Sequence, residues 1–371
     1  MMNNPVKTDQ RSIAEIIDSL RISTPFSQFV HDRAASSDVR TGYIDGSPVD
    51  RLVITLRSPG CSWVSRGGGC AMCGHYAGTT RGEMPTVEEF LAQFREEVSL
   101  YDLRRIGIIS LYNSGSVLNP RELPHEALLS ILREIRDFPS IRKVILETRA
   151  EYVSEKLIGD ITSALGSGKS LSIAIGLETS DDEIRNLCLN KGCSLDDIRR
   201  AVEIAKPHAE IQLYILLGIP FLTEAESVQD SIRSIRCAHD LGADEIHIEP
   251  MTIQRHTLVE LLCNHGLFRL PSLYSLYEVL KAVVPDIKPY VSPFLHMPLP
   301  EIIPRGCPRC TDRLIDGLLR GYNIHRDREH LGYENCGCIS EWREWMSEAD
   351  PRPLAERVDE TLNRLPVGAI L

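Results

Sequence analysis

No apolar stretch in this chain approaches the roughly 20 residues that cross a bilayer. The longest candidate, residues 213–222, is interrupted by Gly218 and Pro220. A secretory pattern is also missing, because the start from Asn3 to Arg11 is polar. Positive charge is in deficit. Against 52 Asp and Glu stand 41 Lys and Arg, and the net charge of −11 argues against broad, sequence-independent binding to a polyanion. A local basic patch, or a partner that supplies one, is compatible with that balance. Lysine itself is scarce, eight against 33 arginines, a genomic bias from which no function follows. These absences predict a cytoplasmic, reducing setting with no membrane partner. There the eleven cysteines read as metal ligands and core residues rather than disulfides.

What is present suits a large globular chain. At 371 residues and 43% hydrophobic content, it can bury one barrel-sized domain plus a smaller attachment. Strand-like runs fall at residues 52–56, 106–111, 143–147, 171–177, 210–217 and 245–249, separated by amphipathic stretches. Helix starts follow several of them with capping-box spacing: Thr86 with Glu89, Asn119 with Glu122, Ser180 with Glu183, and Thr223 with Glu226. The alternation predicts parallel βαβ units. Polar and glycine-containing motifs recur just after the strands, which favours an α/β partial (β/α)6 barrel over an open sheet. The expected organisation is a helical N-terminal extension over 1–50 (helix within 8–33), the partial barrel over 51–300, and a cysteine-containing region with a helical tail over 301–371. One more helix is expected at 273–284, and the proline-rich 285–308 should run over the surface.

Cys61, Cys70 and Cys73 lie in a glycine-rich loop directly after the first strand. Three thiolates can hold a [4Fe–4S] cluster through three of its irons, whereas structural clusters take four. The open iron can chelate the amino and carboxylate groups of S-adenosylmethionine, and reduction then yields a 5′-deoxyadenosyl radical. Two blander readings compete. A zinc site of three cysteines and one histidine would recruit His75, although the eight-residue gap exceeds the usual knuckle spacing. Unligated core cysteines are the other. Cys188, Cys193, Cys237 and Cys263 read as small apolar side chains.

The loop resembles the radical S-adenosylmethionine superfamily, in the elongator-type branch with an extended first gap. Further motifs follow in order. They are Tyr112-Asn113-Ser114-Gly115-Ser116, Glu147-Thr148-Arg149-Ala150-Glu151, Gly176-Leu177-Glu178-Thr179, Asn190-Lys191-Gly192, the segment from Ile248 to Thr257, and the distal cysteine pairs. This ordered set resembles the radical subunits of archaeosine synthase from about Leu52 to Trp342. The resemblance implies that Ser114, Gly115 and Ser116 grip the methionyl end of the cofactor. It further implies that Glu147 holds the ribose hydroxyls and that Arg149 and Lys191 meet the cofactor carboxylate, with Glu178 in the same site. A buried ion-pair network is the structural alternative for these charged residues. Glu249, Gln254 and His256 follow the sixth strand and are candidates to face the substrate.

By the same resemblance, a partner transferase attaches lysine to a 7-deazaguanine base of tRNA, and the radical subunit cleaves a carbon–nitrogen bond in that adduct. A reduced flavodoxin- or ferredoxin-type donor is then implied, with tRNA and the lysine-transferring subunit as further partners. A small-molecule substrate is the alternative. Cys307, Cys310, Cys336 and Cys338 form two close pairs, the usual grammar of a four-thiolate zinc site; an auxiliary iron–sulfur cluster and no metal are the other readings. Six arginines and three aspartates lie between Arg305 and Arg328, either compensating such a site or contacting RNA phosphate.

Overall fold

The computed structural model describes residues 12–25, 29–295, 297–333 and 336–366. Helix α1 (Ile13–Ile22) starts at Ser12, whose hydroxyl accepts from the Glu15 N–H while the Glu15 carboxylate accepts from the Ser12 N–H. Strand β1 (Ser36–Ile44) turns through Asp45 and Gly46, at φ of 51° and 75°, into antiparallel β2 (Ser47–Thr55). Two left-handed positions are what a tight Asp-Gly hairpin requires. This corrects the helical reading of 1–50: within the described part, the helix stops at Ile22 and residues 36–50 join the sheet.

After helix α2 (Ser62–Gly67), parallel strands alternate with helices. The strands are β3 (Ile106–Tyr112), β4 (Lys143–Thr148), β5 (Ser170–Glu178), β6 (Glu210–Leu217) and β7 (Glu245–Pro250). The helices are α3 (Val87–Ser99), α4 (His125–Arg136), α5 (Glu155–Leu165), α6 (Leu195–Ala205) and α7 (Glu224–Asp240). Then come α8 (Leu258–Asn264), α9 (Leu273–Val283), the two-residue strand β8 (Tyr290–Val291), α10 (Thr311–Asp316), the single turn α11 (Asn323–His325), α12 (Ile339–Ser347) and α13 (Leu354–Asn363). The sheet runs in order from β1 to β8, so all six expected strands are present, extended at its edges by β1 and β8. The β8 pairing interrupts the expected surface run of 285–308.

Alternation along the strands sorts side chains to two faces. Leu52, Ile109, Leu146, Ile173, Leu213 and Ile248 pack outward into the core shared with the helices. The intervening Ile108, Ile145 and Ala174, with Tyr214, make a separate cluster on the inner face. The sheet curls until its edges meet: Tyr43 of β1 stacks on Tyr290 of β8, ring centroids 4.1 Å apart. Tyr43 pairs with Pro48 at the start of β2, so this seal lies opposite the strand ends that carry the motifs. The architecture is an α/β partial barrel, closed below and open at the C-terminal ends of its parallel strands.

Two capping boxes form as expected, Thr86–Glu89 and Thr223–Glu226. The other two do not. Helix α4 starts at His125 behind Pro124, and the Glu183 and Ile184 N–H groups donate to Asp181, leading into a π-helical turn over Ile184–Cys188. Glu122 is drawn away from any cap by the cysteine loop.

Candidate active site

The cysteine loop hangs from the end of β2 across the open mouth and is held at three places. Near Cys61, the fully buried Glu122 carboxylate accepts from the Ser62 N–H (2.7 Å), the Ser116 N–H (2.6 Å) and the Asn119 amide (2.6 Å). A Cβ on Gly115 would fall on that carboxylate and 3.0 Å from the Cys61 Cα, so only glycine lets the two loops touch. Near Cys70, the Asn190 side-chain amide donates to the carbonyls of Gly67 (2.6 Å) and Gly69 (2.7 Å), and the Ala71 N–H donates to the Leu189 carbonyl (2.9 Å). The Trp63 indole N–H donates to the Asn190 carbonyl (2.7 Å), and the Arg149 guanidinium lies 5.4 Å over the Trp63 ring. Beyond Cys73, Gly74 packs against Gln254, where an added Cβ would approach the Gln254 Cβ to 2.7 Å.

The inner face below the loop is charged. Glu178 ends β5 in a left-handed conformation (φ 63°) and forms an ion pair with Lys191. Burial works against the Lys191 charge, yet Glu178 beside it, then the Cys70 thiol, hold its pKa above the usual amine value. Burial pushes Glu147 up to about 7; Lys191 opposes that shift, while Glu249 and Glu178 add to it. Glu249 is also raised by burial, and it accepts from the Ser292 hydroxyl. Arg149 is committed elsewhere, donating to Glu151 (2.7 Å) and to the Lys191 carbonyl (2.8 Å). Ser114 adopts φ 59°, and the Ser116 hydroxyl accepts from the Arg149 N–H (3.0 Å). His256 is left-handed (φ 60°), and its N–H donates to Glu260 (2.6 Å) at the start of α8.

Donor set and charge both fit an iron–sulfur cluster on Cys61, Cys70 and Cys73. Among the described residues, the only group of three or more His, Cys, Asp or Glu gathered closely enough for a single ion is Cys307, Cys310, Cys336 and Cys338. The loop thiols therefore do not converge on one atom with His75, as a zinc site of three cysteines and one histidine demands. A polynuclear cluster instead seats each thiolate on a separate iron. Burial holds the Cys61 thiol up at about 12, and burial also raises Cys73. Cationic Arg149, Lys191 and Arg21 act in the opposite sense on these thiols, as a site for anionic sulfur requires. His75 is pushed down to about 4 by burial, with Arg40 adding, so its ring is neutral near pH 7.

The structure thus gathers Cys61, Cys70, Cys73, Ser114, Gly115, Ser116, Glu147, Arg149, Glu178, Lys191, Glu249 and Gln254 around the mouth and inner face. Sequence reasoning misses the residues that hold the loop. Glu122 reads along the chain as a cap, Asn190 has no role inside its own motif, and Trp63 sits between the cysteines without one. Their signal is proximity in the fold, since Trp63 and Asn190 are 127 positions apart.

No protein-family model matches the chain. A protein named archaeosine synthase subunit beta from Methanosarcina acetivorans is 35% identical over 257 residues, covering 68% of this chain and 73% of that protein. The protein of the same name from Thermococcus kodakarensis is 29% identical over 240 residues, covering 64% and 73%. Among solved structures, methylornithine synthase matches with a TM-score of 0.46 at 16% identity, over 75% of this chain and 69% of that one. The half-barrel and the three-cysteine loop after its first parallel strand define an α/β partial-barrel protein with thiols at one strand end. None of the helices among the described residues is long and apolar enough to cross a membrane. More narrowly, the chain belongs to the archaeosine synthase subunit beta family.

Proposed function

We propose that the chain cleaves S-adenosylmethionine reductively at a [4Fe–4S] cluster on Cys61, Cys70 and Cys73. Its target is the lysine chain of a lysine-modified 7-deazaguanine in tRNA, where a carbon–nitrogen bond breaks and an amidine remains. When bound, cluster and cofactor supply one electron and a 5′-deoxyadenosyl radical. The observation that carries this reading is the three-thiol loop after β2 with Lys191 beside it, a cation that faces both the Cys70 thiol and the buried carboxylates Glu178 and Glu147.

The chain's own residues divide the remaining work. Ser116 is occupied with Glu122 and the Arg149 N–H, which leaves the Ser114–Gly115 backbone to meet the methionyl amine and carboxylate. Lys191 is the cation for the cofactor carboxylate, Arg149 serving chiefly to brace Trp63 and Glu151. Glu147 accepts from the ribose diol. Glu249 and Gln254 face the substrate with His256 behind them, and an inner face rich in carboxylates suits the ammonium of a lysine adduct. A flavodoxin- or ferredoxin-type reductant and a lysine-transferring subunit complete the reading, in keeping with relatives named as subunits. The four distal cysteines serve a separate metal.

One observation favours a free small-molecule substrate. In the 305–328 segment, Arg326 stacks on Tyr290 and Arg328 donates to the Val284 and Lys281 carbonyls. Arginines spent on the fold are not available to phosphate. The test is anaerobic reconstitution, dithionite reduction and incubation with lysine-modified tRNA. The parent should yield 5′-deoxyadenosine and an amidine nucleoside by mass spectrometry, and Cys70→Ala neither. 5′-Deoxyadenosine without amidine excludes the RNA substrate, and product from a free amino compound without RNA decides for the alternative. A parent that makes no 5′-deoxyadenosine overturns the radical reading itself.

A further inference from the structure

Four thiols that sequence pairs as Cys-X2-Cys and Cys-X-Cys converge at one point far along the chain from the active-site loop. Cys307 lies 3.7 Å from Cys310 and 3.4 Å from Cys336 (Sγ to Sγ), Cys310 lies 3.6 Å from Cys338, and all four sulfurs fall within 4.8 Å of one another. None is in a disulfide, and these separations exceed the S–S bond of about 2.05 Å. A tetrahedron of thiolates around one zinc ion, with Zn–S of about 2.3 Å, has edges of about 3.8 Å. The observed spacings match that figure. A cubane seats each thiolate on a different iron and holds them further apart, so the packing does not suit an auxiliary cluster.

The surroundings are built for a closed anionic centre. Each pair ends at a helix start: the Cys310 and Thr311 N–H groups donate to the Cys307 carbonyl (3.0 and 3.1 Å), and the Ile339 N–H to the Cys336 carbonyl (2.9 Å). The Tyr274 side chain is buried and its hydroxyl sits 3.7 Å from the Cys310 sulfur and 3.5 Å from that of Cys338, bridging the two pairs. A hydrogen-bonding neighbour of that kind fixes metal ligands and moderates their charge. Gly306 leaves the Cys310 sulfur its room, because a Cβ there would come to 2.5 Å.

We infer that Cys307, Cys310, Cys336 and Cys338 bind one zinc ion in an all-thiolate structural site that fastens α10 and α12 to α9. Four protein ligands leave no open position, so the ion takes no part in the radical chemistry. The fastening continues inward. The Trp342 indole N–H donates to the Ser275 hydroxyl (2.8 Å), and the Glu224 carboxylate at the head of α7 accepts from the Ser272 N–H (2.8 Å) and the Ser275 hydroxyl.

The test counts metals in a variant whose active-site loop is disarmed. Cys61→Ala/Cys70→Ala/Cys73→Ala protein should keep one zinc per chain by elemental analysis and contain no iron or acid-labile sulfide. Cobalt exchanged into it should show the absorption of tetrahedral thiolate coordination. Cys307→Ser/Cys336→Ser should lose the zinc while its 61–73 loop still accepts iron. Iron with sulfide in the triple variant overturns the inference, as does a folded triple variant without metal. Should the double serine variant fail to fold, the zinc count and cobalt spectrum of the triple variant still decide. These readouts involve neither S-adenosylmethionine nor RNA, so failure of the proposed reaction leaves them untouched.

Discussion

Two buried carboxylates on the inner face shift in opposite directions, and the difference is who sits beside them. Glu147 is pushed up to about 7 from 4.5 by burial and by the carboxylates Glu249 and Glu178. Glu245 is pulled down to about 2, because the hydrogen bond from His247 and the Lys143 ammonium outweigh the same burial. The signs of their pH effects follow. The Glu147 contribution to stability is full below its unfolded pKa and is lost as the pH rises through 7. That of Glu245 is present above its unfolded pKa and is lost as the pH falls toward 2. Glu147→Gln should therefore flatten the stability profile between about pH 5 and pH 8, removing a fall on the order of 1–2 kcal/mol. Denaturant midpoints across that range for parent and variant provide the measurement. An unchanged slope would show that Glu147 is not the group responsible. Sequence places Glu147 at the end of a strand; its partners on β5 and β7 come from the curl of the sheet.

Asn190 shows how one element disciplines another. It stands at φ 51° after the π-helical turn and donates both amide hydrogens to carbonyls of the cysteine loop. The loop contains three successive glycines, which without such a clamp would sample many conformations at an entropic cost to metal binding. Asn190→Ala should lower iron retained after reconstitution by several-fold and slow 5′-deoxyadenosine formation in proportion, with global stability reduced by about 1–2 kcal/mol. Asn190→Asp keeps the shape but loses the donors, so it should not rescue. Full iron content in Asn190→Ala would mean that Glu122 and the Ala71–Leu189 hydrogen bond suffice. The Asn190-Lys191-Gly192 motif is visible in sequence, but it points there toward cofactor binding through Lys191. The role of Asn190 depends on a loop more than a hundred residues earlier, and no local pattern reports it.

At the scale of the whole molecule, the barrel is open at one end because it is closed at the other. Tyr43, Tyr290 and His247 form a run of ring contacts at 4.1 and 5.3 Å, and Arg326 caps Tyr290 at 3.8 Å. The edges of the sheet thus meet through rings rather than a ladder of hydrogen bonds. Tyr43→Ala removes one side of the seal and should cost about 2–4 kcal/mol, the loss of a packed aromatic side chain and its stacking. Thermal melts check the cost, and the iron content of the loop should be unaffected because it lies at the far end. A variant that loses iron along with stability would instead link the seal to the mouth.

Local chemistry determined much of this protein. Alternating apolar runs specified six strands, Thr86–Glu89 and Thr223–Glu226 specified helix starts, and three cysteines in a glycine loop motivated the site proposed above. Each of those signals is complete within a few residues, which is why it can be read along the chain. Tertiary structure alone decided the rest. The Asp45–Gly46 hairpin extended the sheet where a helix was expected, Glu122 left a cap to hold Cys61, and the distal sulfurs closed to zinc-like spacing. These outcomes depend on groups tens to hundreds of positions apart competing for the same hydrogen bonds and the same space. That competition is settled only when the sheet curls and brings them together.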